Sequence, residues 1–174
     1  MYEDKEEETM SGTVEYAKTS AYGGNGGTPF DDGSAWQRLA GFQINCDAAI
    51  DHIQGTYQAN DDRFETASKH GRDGGYFRDA ILFGEEEWIV EVEGHYDHIL
   101  RWLQFTTNKG NVYTYGRAEW STKGARFHLP DASISVPATT FRIEGLYGRS
   151  GDYLDQLGFY YLIPEKWPSP PRES

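Results

Sequence analysis

The chain has very little of several things, and each shortage removes a class of protein. A single cysteine, Cys46, stands in 174 residues, so no intrachain disulfide can hold the fold. No apolar run approaches the roughly 20 residues that a membrane-spanning helix needs, which argues against direct membrane insertion. Basic residues are scarce: 16 Lys and Arg face 28 Asp and Glu, for a net charge of −12. Backbone-directed binding to nucleic acid needs a basic face, and so does adhesion to anionic lipid, so neither partner fits. No Asn-x-Ser/Thr sequon occurs, and the N-terminus has no basic-then-apolar secretory pattern. Together with the lone cysteine, this predicts a cytoplasmic protein. No helical apolar stripe is visible; Asp61–Lys69 has helix-compatible residues but no such face. No phosphate-binding loop or Ser/His/Asp order is present, and no metal or cofactor is expected. His95, Asp97 and His98 lie close in sequence, but strand alternation turns His98 away from the other two, so they read as a surface loop. Cys46 has no nearby histidine and reads as structural.

What the chain has in abundance is glycine and aromatic rings: 20 Gly, 12 Tyr, 9 Phe and 5 Trp. Short runs of period-2 spacing recur between glycine-rich turns. Trp88, Val90 and Val92 occupy one face against Glu91 and Glu93; Leu103 and Phe105, Phe141 and Ile143, and Leu157, Phe159 and Tyr161 repeat the pattern. The expectation is an all-β domain over residues 21–163. Residues 1–20 read as an acidic, disordered leader, within which Thr13–Tyr16 has the composition of a short strand. Residues 164–174 read as a proline-rich tail.

A Gly-x-x-Phe pattern appears three times, at Gly27–Phe30, Gly74–Phe77 and Gly124–Phe127. Three repeats are too few for a propeller, which uses at least about four blades. Three groups of roughly four strands suit a three-sided prism instead.

Two segments carry chemistry. One is Gly23-Gly24-Asn25-Gly26-Gly27-Thr28-Pro29-Phe30-Asp31 near the start. The other is Gly148-Arg-Ser-Gly151-Asp152-Tyr153-Leu154-Asp155 near the end. A glycine turn exposes consecutive backbone N–H donors, and Asp155 sets a two-oxygen acceptor beside them. Donors and a bidentate acceptor converging on one spot suit the neighbouring hydroxyls of a neutral hexose. These segments, with Phe105-Thr-Thr-Asn-Lys-Gly110, resemble those of the jacalin-related lectins over about residues 21–163.

The resemblance implies a β-prism of three antiparallel sheets with pseudo-threefold symmetry. It also implies metal-independent binding of mannose- or glucose-type glycans without catalysis. The Gly27 N–H would donate to a ring hydroxyl. The amides of Asp152, Tyr153 and Leu154 would donate to further sugar oxygens, and Gly151 to Asp155 matches the family's Gly-x-x-x-Asp motif. The Asp155 carboxylate would accept from O4–H and O6–H, and the Tyr153 ring would lie on the sugar's apolar face. Galactose-type members are cut just before the glycine matching Gly27, so an unbroken chain there implies the mannose type. A second, degraded site is expected at Asp47-Ala-Ala-Ile-Asp51 opposite Gly71–Gly75, with Asp51 as acceptor, Asp47 where glycine belongs, and Gly74 and Gly75 as partners. A third copy, read as Gly94–His98, has histidine in the acceptor place. Weak single sites call for a homodimer or higher oligomer. A non-sugar targeting module on the same fold is the alternative reading. A glycosidase is the third, disfavoured because an exposed glycine turn does not raise the pKa of Asp152 or Asp155 as an acid catalyst requires.

Overall fold

The computed structural model describes residues 15–118 and 124–164. Residues 1–14 of the expected leader and 165–174 of the tail lie outside that range. Among the described residues fifteen strands, all paired antiparallel, carry the fold, and a 3-10 turn covers Ala138–Thr140. Three long hairpins organise them. The first joins β4 (Arg38–Cys46) to β5 (Ile50–Gln58), the second β10 (Ile89–Tyr96) to β11 (Leu100–Thr107), and the third β14 (Ile143–Ser150) to β15 (Leu154–Ile163).

Short strands complete each sheet. On the first hairpin lie β6 (Phe64–Thr66), β7 (His70–Gly71), β8 (Tyr76–Phe77) and β9 (Ile81–Leu82). The second carries β12 (Val112–Gly116) and β13 (Ala125–Leu129). The third carries β1 (Glu15–Lys18), β2 (Tyr22–Gly23) and β3 (Thr28–Asp31). A single residue pair, Ile89 opposite Ile143, joins the second and third groups at one edge.

The three hairpins repeat one another in detail. Each has two register shifts, at Leu39/Gly41 and Asn45/Cys46, at Ile89/Glu91 and His95/Tyr96, and at Ile143/Gly145 and Arg149/Ser150. Their last pairs, Cys46 with Ile50, Tyr96 with Leu100 and Ser150 with Leu154, are therefore equivalent. Each closes with the same hydrogen bond, from the amide of Asp47, Asp97 or Gly151 to the carbonyl two residues on, at 3.0 Å in all three. This is the threefold pattern expected of a prism.

Inward side chains from the three sheets meet on one axis. Phe105 of β11 lies 4.9 Å from Phe42 of β4 and 6.3 Å from Phe159 of β15, ring centre to ring centre. All three are buried, and each contributes about 1.5–3 kcal/mol by leaving water.

Three expectations change. The 1–20 leader is too long, because Glu15–Lys18 pairs with β15 and Thr19 is buried, exchanging hydrogen bonds with Phe159 at 2.9 and 3.0 Å. The face built from Trp88, Val90 and Val92 is interrupted by the bulge at Val90: Val92 is buried as expected, but Ile89 is buried where Trp88 and Val90 are only partly so. In the Gly-x-x-Phe pattern the second copy is one residue out of step: Tyr76 opposite Cys46 matches Thr28 opposite Ser150, so Gly75 takes the place of Gly27.

Candidate functional site

The turn 151–153 and the loop 23–27 lie against each other. The loop starts when the Gly24 amide donates to the Asp155 carbonyl at 2.9 Å. Gly27 has φ +68°, and a Cβ there would stand 2.3 Å from the Ser150 carbonyl oxygen, so glycine is required by both backbone and space. A Cβ on Gly26 would fall 2.6 Å from Asp155 Oδ2, and one on Gly151 would fall 3.3 Å from Gly27 Cα. The structure thus brings Gly27, Gly151 and Asp155 into one cradle. Tyr153 is exposed beside it, Leu154 is buried as the first residue of β15, and the Asp152 carboxylate points outward to Arg72, 3.6 Å away.

Asp155 Oδ1 is buried and has no hydrogen-bond partner, an uncommon state for a carboxylate oxygen. Burial raises the pKa of Asp155; the Gly151 amide, His98 and Arg149 pull it down, and Asp152 pushes it up. The Gly151 amide is aimed at the Tyr153 carbonyl and acts on the carboxylate only through its field.

Side chains that sequence reasoning missed hold the loop. Arg149 donates from Nε to the Gly26 carbonyl at 3.0 Å and from Nη2 to the Gly27 carbonyl at 2.9 Å. Gln156 donates from Nε2 to the Gly24 carbonyl at 3.4 Å. Their signal is positional: Arg149 stands two residues before Gly151, and Gln156 directly follows Asp155.

The first hairpin repeats this plan. The Arg72 amide donates to the Asp51 carbonyl at 3.2 Å, opening the loop Gly71–Gly75. Gly75 has φ +68°, as Gly27 does, and a Cβ there would meet Asp51 Oδ2 at 2.2 Å. Asn45 and His52 replace Arg149 and Gln156, donating to the Gly74 carbonyl at 3.1 Å and contacting the Arg72 carbonyl at 3.0 Å. Asp47 in the glycine position does not spoil the turn, since neither it nor Gly151 needs a positive φ. Asp47 pairs with Arg117 at 3.1 Å. Burial, then Asp47, raises the pKa of Asp51. Tyr76 and Phe77, directly after Gly75, are exposed rings.

The third copy is corrected. Register places Arg101, not His98, opposite the role of Asp155, and the Arg117 amide donates to the Arg101 carbonyl at 3.3 Å just as Gly24 does to Asp155. Arg101 is tied to Asp97 through Nε at 3.0 and 3.1 Å, so this turn presents a cation instead of an acceptor. His98 instead borders the main cradle, where a Cβ on Gly24 would meet its carbonyl oxygen at 2.4 Å. Among the described residues one grouping, Glu91, Glu93 and His128, has metal-ligand spacing, and it shares no residue with either cradle.

Residues 19–160 match the model of the Jacalin-like lectin domain. The chain is 30 % identical over 149 residues to horcolin from Hordeum vulgare, covering 82 % of this chain and 94 % of that one. It is 28 % identical to Jacalin-related lectin 46 of Arabidopsis thaliana, of whose length it spans 24 %. Among solved structures, the wild-type Malaysian banana lectin superposes with a TM-score of 0.71 at 31 % identity, over 87 % of this chain and 100 % of that one. A mannose-specific jacalin-related lectin from Morus nigra, solved with mannose, superposes with a TM-score of 0.70 at 27 % identity, over 87 % and 97 %.

Proposed function

The chain belongs to the jacalin-related lectin family, non-enzymatic carbohydrate-binding proteins, and from that premise we propose that it recognises mannose-type glycans at the Gly27–Asp155 cradle. The observation that carries this reading is the buried, unpartnered Asp155 Oδ1 between two glycine segments. An acceptor held there, beside the 151–153 turn, accepts hydroxyl protons that nothing in the protein supplies. Asp155 takes O4–H and O6–H, while the amides of Gly27, Asp152 and Tyr153 donate to the sugar. The chain runs unbroken through Gly26–Gly27, so the Gly27 nitrogen is a neutral amide, as in the mannose type. A calorimetric titration with methyl α-mannoside tests the assignment; no binding at millimolar sugar overturns it.

The repeated plan around Asp51 supports a second sugar site. Asn45 anchors its glycine loop as Arg149 anchors the first, and exposed Tyr76 and Phe77 offer ring faces to a sugar. A site with a Kd near 1 mM is worth only about 4 kcal/mol. Two sites per chain, multiplied by a homodimer or higher oligomer, would raise the avidity on a branched glycan.

A further inference from the structure

The two glycine loops differ in one chemical respect. The first is held by Arg149 and Gln156, neither of which changes charge in the physiological range. The second is held through His52, which is 1 % exposed. Its Nδ1 lies 3.0 Å from the Arg72 carbonyl oxygen and its Nε2 lies 2.7 Å from Gln43 Oε1.

Backbone carbonyls fix every proton in this chain of contacts, because a carbonyl can only accept. The Gly74 carbonyl takes a hydrogen from Asn45 Nδ2 at 3.1 Å, which leaves Asn45 Oδ1 as an acceptor. Gln43 faces that oxygen at 2.8 Å and the Arg78 carbonyl at 3.1 Å with one and the same atom, which must therefore be its NH2 group. Gln43 Oε1 is then the atom that meets His52. Both ring nitrogens face acceptors, and both contacts are made only when both nitrogens carry hydrogen.

We propose that His52 is a positioning residue that works as an imidazolium, tying the Arg72 and Gly74 carbonyls into one network and so holding the second glycine loop against Asp51. Neutral His52 gives up one of its two bonds: either the Arg72 carbonyl is released or a lone pair faces Gln43 Oε1. The second loop is thus held in its sugar-binding form in acid and loosened at higher pH, while the first loop is indifferent.

The charged groups around the ring are few. Asp73 Oδ1 stands 3.7 Å from Nδ1, and Lys69 is hydrogen-bonded to that same oxygen at 2.6 Å. Burial lowers the pKa of His52 most, the Arg72 carbonyl raises it, Lys69 lowers it and Asp73 raises it, leaving it below the ordinary histidine value. Asp51 itself, once protonated in acid, weakens sugar binding, so a gain in affinity on the acid side cannot come from it.

The effect on sugar rests on the reading of Asp51 as a second site, and the test separates the two. Nitrogen NMR of the His52 ring should show both nitrogens protonated at pH 5.5 and one lost by pH 8, together with shifts of the Arg72–Gly75 amides. In an Asp155→Ala background, which silences the main site, methyl α-mannoside should bind at least fivefold tighter at pH 5.5 than at pH 8. Adding His52→Gln, whose uncharged NH2 can reach the Arg72 carbonyl as Gln156 reaches the Gly24 carbonyl in the first loop, should remove the difference and keep the affinity. A neutral ring at pH 5.5, or the original pH profile in His52→Gln, overturns the proposal. Coupled ring and loop shifts with no mannoside binding at either pH uphold the latch and overturn the second sugar site.

Discussion

Arg149 Nε donates to the Gly26 carbonyl at 3.0 Å across 123 positions of the chain. That bond and its neighbour to Gly27 join the last hairpin to the first glycine loop. The proposed sugar cradle is therefore assembled from both ends of the domain by a side chain that need not touch the ligand.

Removing that clamp should cost affinity without unfolding the protein. Arg149→Ala is expected to weaken methyl α-mannoside binding about tenfold, or ~1.4 kcal/mol, measured by calorimetry. Arg149→Lys should recover only part of this, because a single ammonium cannot span two carbonyls as a planar fork does. Equal affinity in all three proteins would show that the loop holds itself.

Asp155 is expected to matter more. Asp155→Asn replaces one acceptor oxygen with a donor in the same volume, so thermal stability should hold while main-site binding falls by about 1.5–3 kcal/mol. Because burial raises its pKa, wild-type binding should also fail at a less acidic pH than an ordinary aspartate would require. Normal mannoside binding by the Asn variant would remove Asp155 from the site.

Gly27→Val tests the first loop by another route. The sequence suggests that a side chain here would crowd the sugar. The structure places the clash against the Ser150 carbonyl, with φ at +68° as a second obstacle. The variant should therefore lose stability as well as binding, by about 1–3 kcal/mol for the strained backbone alone. A melting temperature equal to the wild type's would contradict this.

Much of this architecture is legible in the sequence because it is local. The Gly151–Asp155 turn, the alternation of Leu157, Phe159 and Tyr161, and the glycine run at 23–27 each declare themselves within ten residues. What stays hidden is non-local or set by bulges. The bulge at Val90 moves Ile89 into the core and breaks the simple alternation. The third acceptor position is misplaced at His98 because only strand register shows that Arg101 stands where Asp155 does. Arg149, Gln156, Asn45 and His52 look like ordinary polar strand residues until the hairpins are superposed, when they fall into two matched positions.

One buried acid lies outside both cradles and shapes stability. Glu144 is 3 % exposed, and its Oε2 stands 3.2 Å from Arg142 Nε as an ion pair whose N–H is not aimed at it, leaving Glu144 Oε1 without a partner. Burial, opposed by Arg142, pushes its pKa up from 4.5 to about 7. The folded protein thus prefers the protonated acid: this contribution is fully present below pH 4.5 and is lost as pH rises through about 7. The loss should be on the order of 3 kcal/mol. Melting curves should fall between pH 5 and pH 8, and Glu144→Gln should flatten that slope. An unchanged slope in the variant would locate the pH dependence elsewhere.

The proposed preference for mannose rests on the charge of the donor at Gly27 and the place of Asp155 in the main cradle. Gly27 follows Gly26 in a continuous backbone, so it offers one N–H and no positive charge. Asp155 faces it across the cradle, with its two oxygens set beside Gly26 and Gly151. A hexose whose O4 is equatorial can keep O4 and O6 on the carboxylate and O3 near the Gly27 amide at once. Galactose carries O4 axially, so it must give up one of these contacts or tilt its ring into the glycine loop. Losing one such hydrogen bond to a charged group costs about 1.5 kcal/mol or more. Methyl α-mannoside should therefore inhibit binding to a mannan surface at least about tenfold better than methyl α-galactoside. The bonds are direct, so the ratio should survive EDTA. A preference for galactose, or a loss in EDTA that calcium restores, would show that the first glycine loop does not select the sugar in this way.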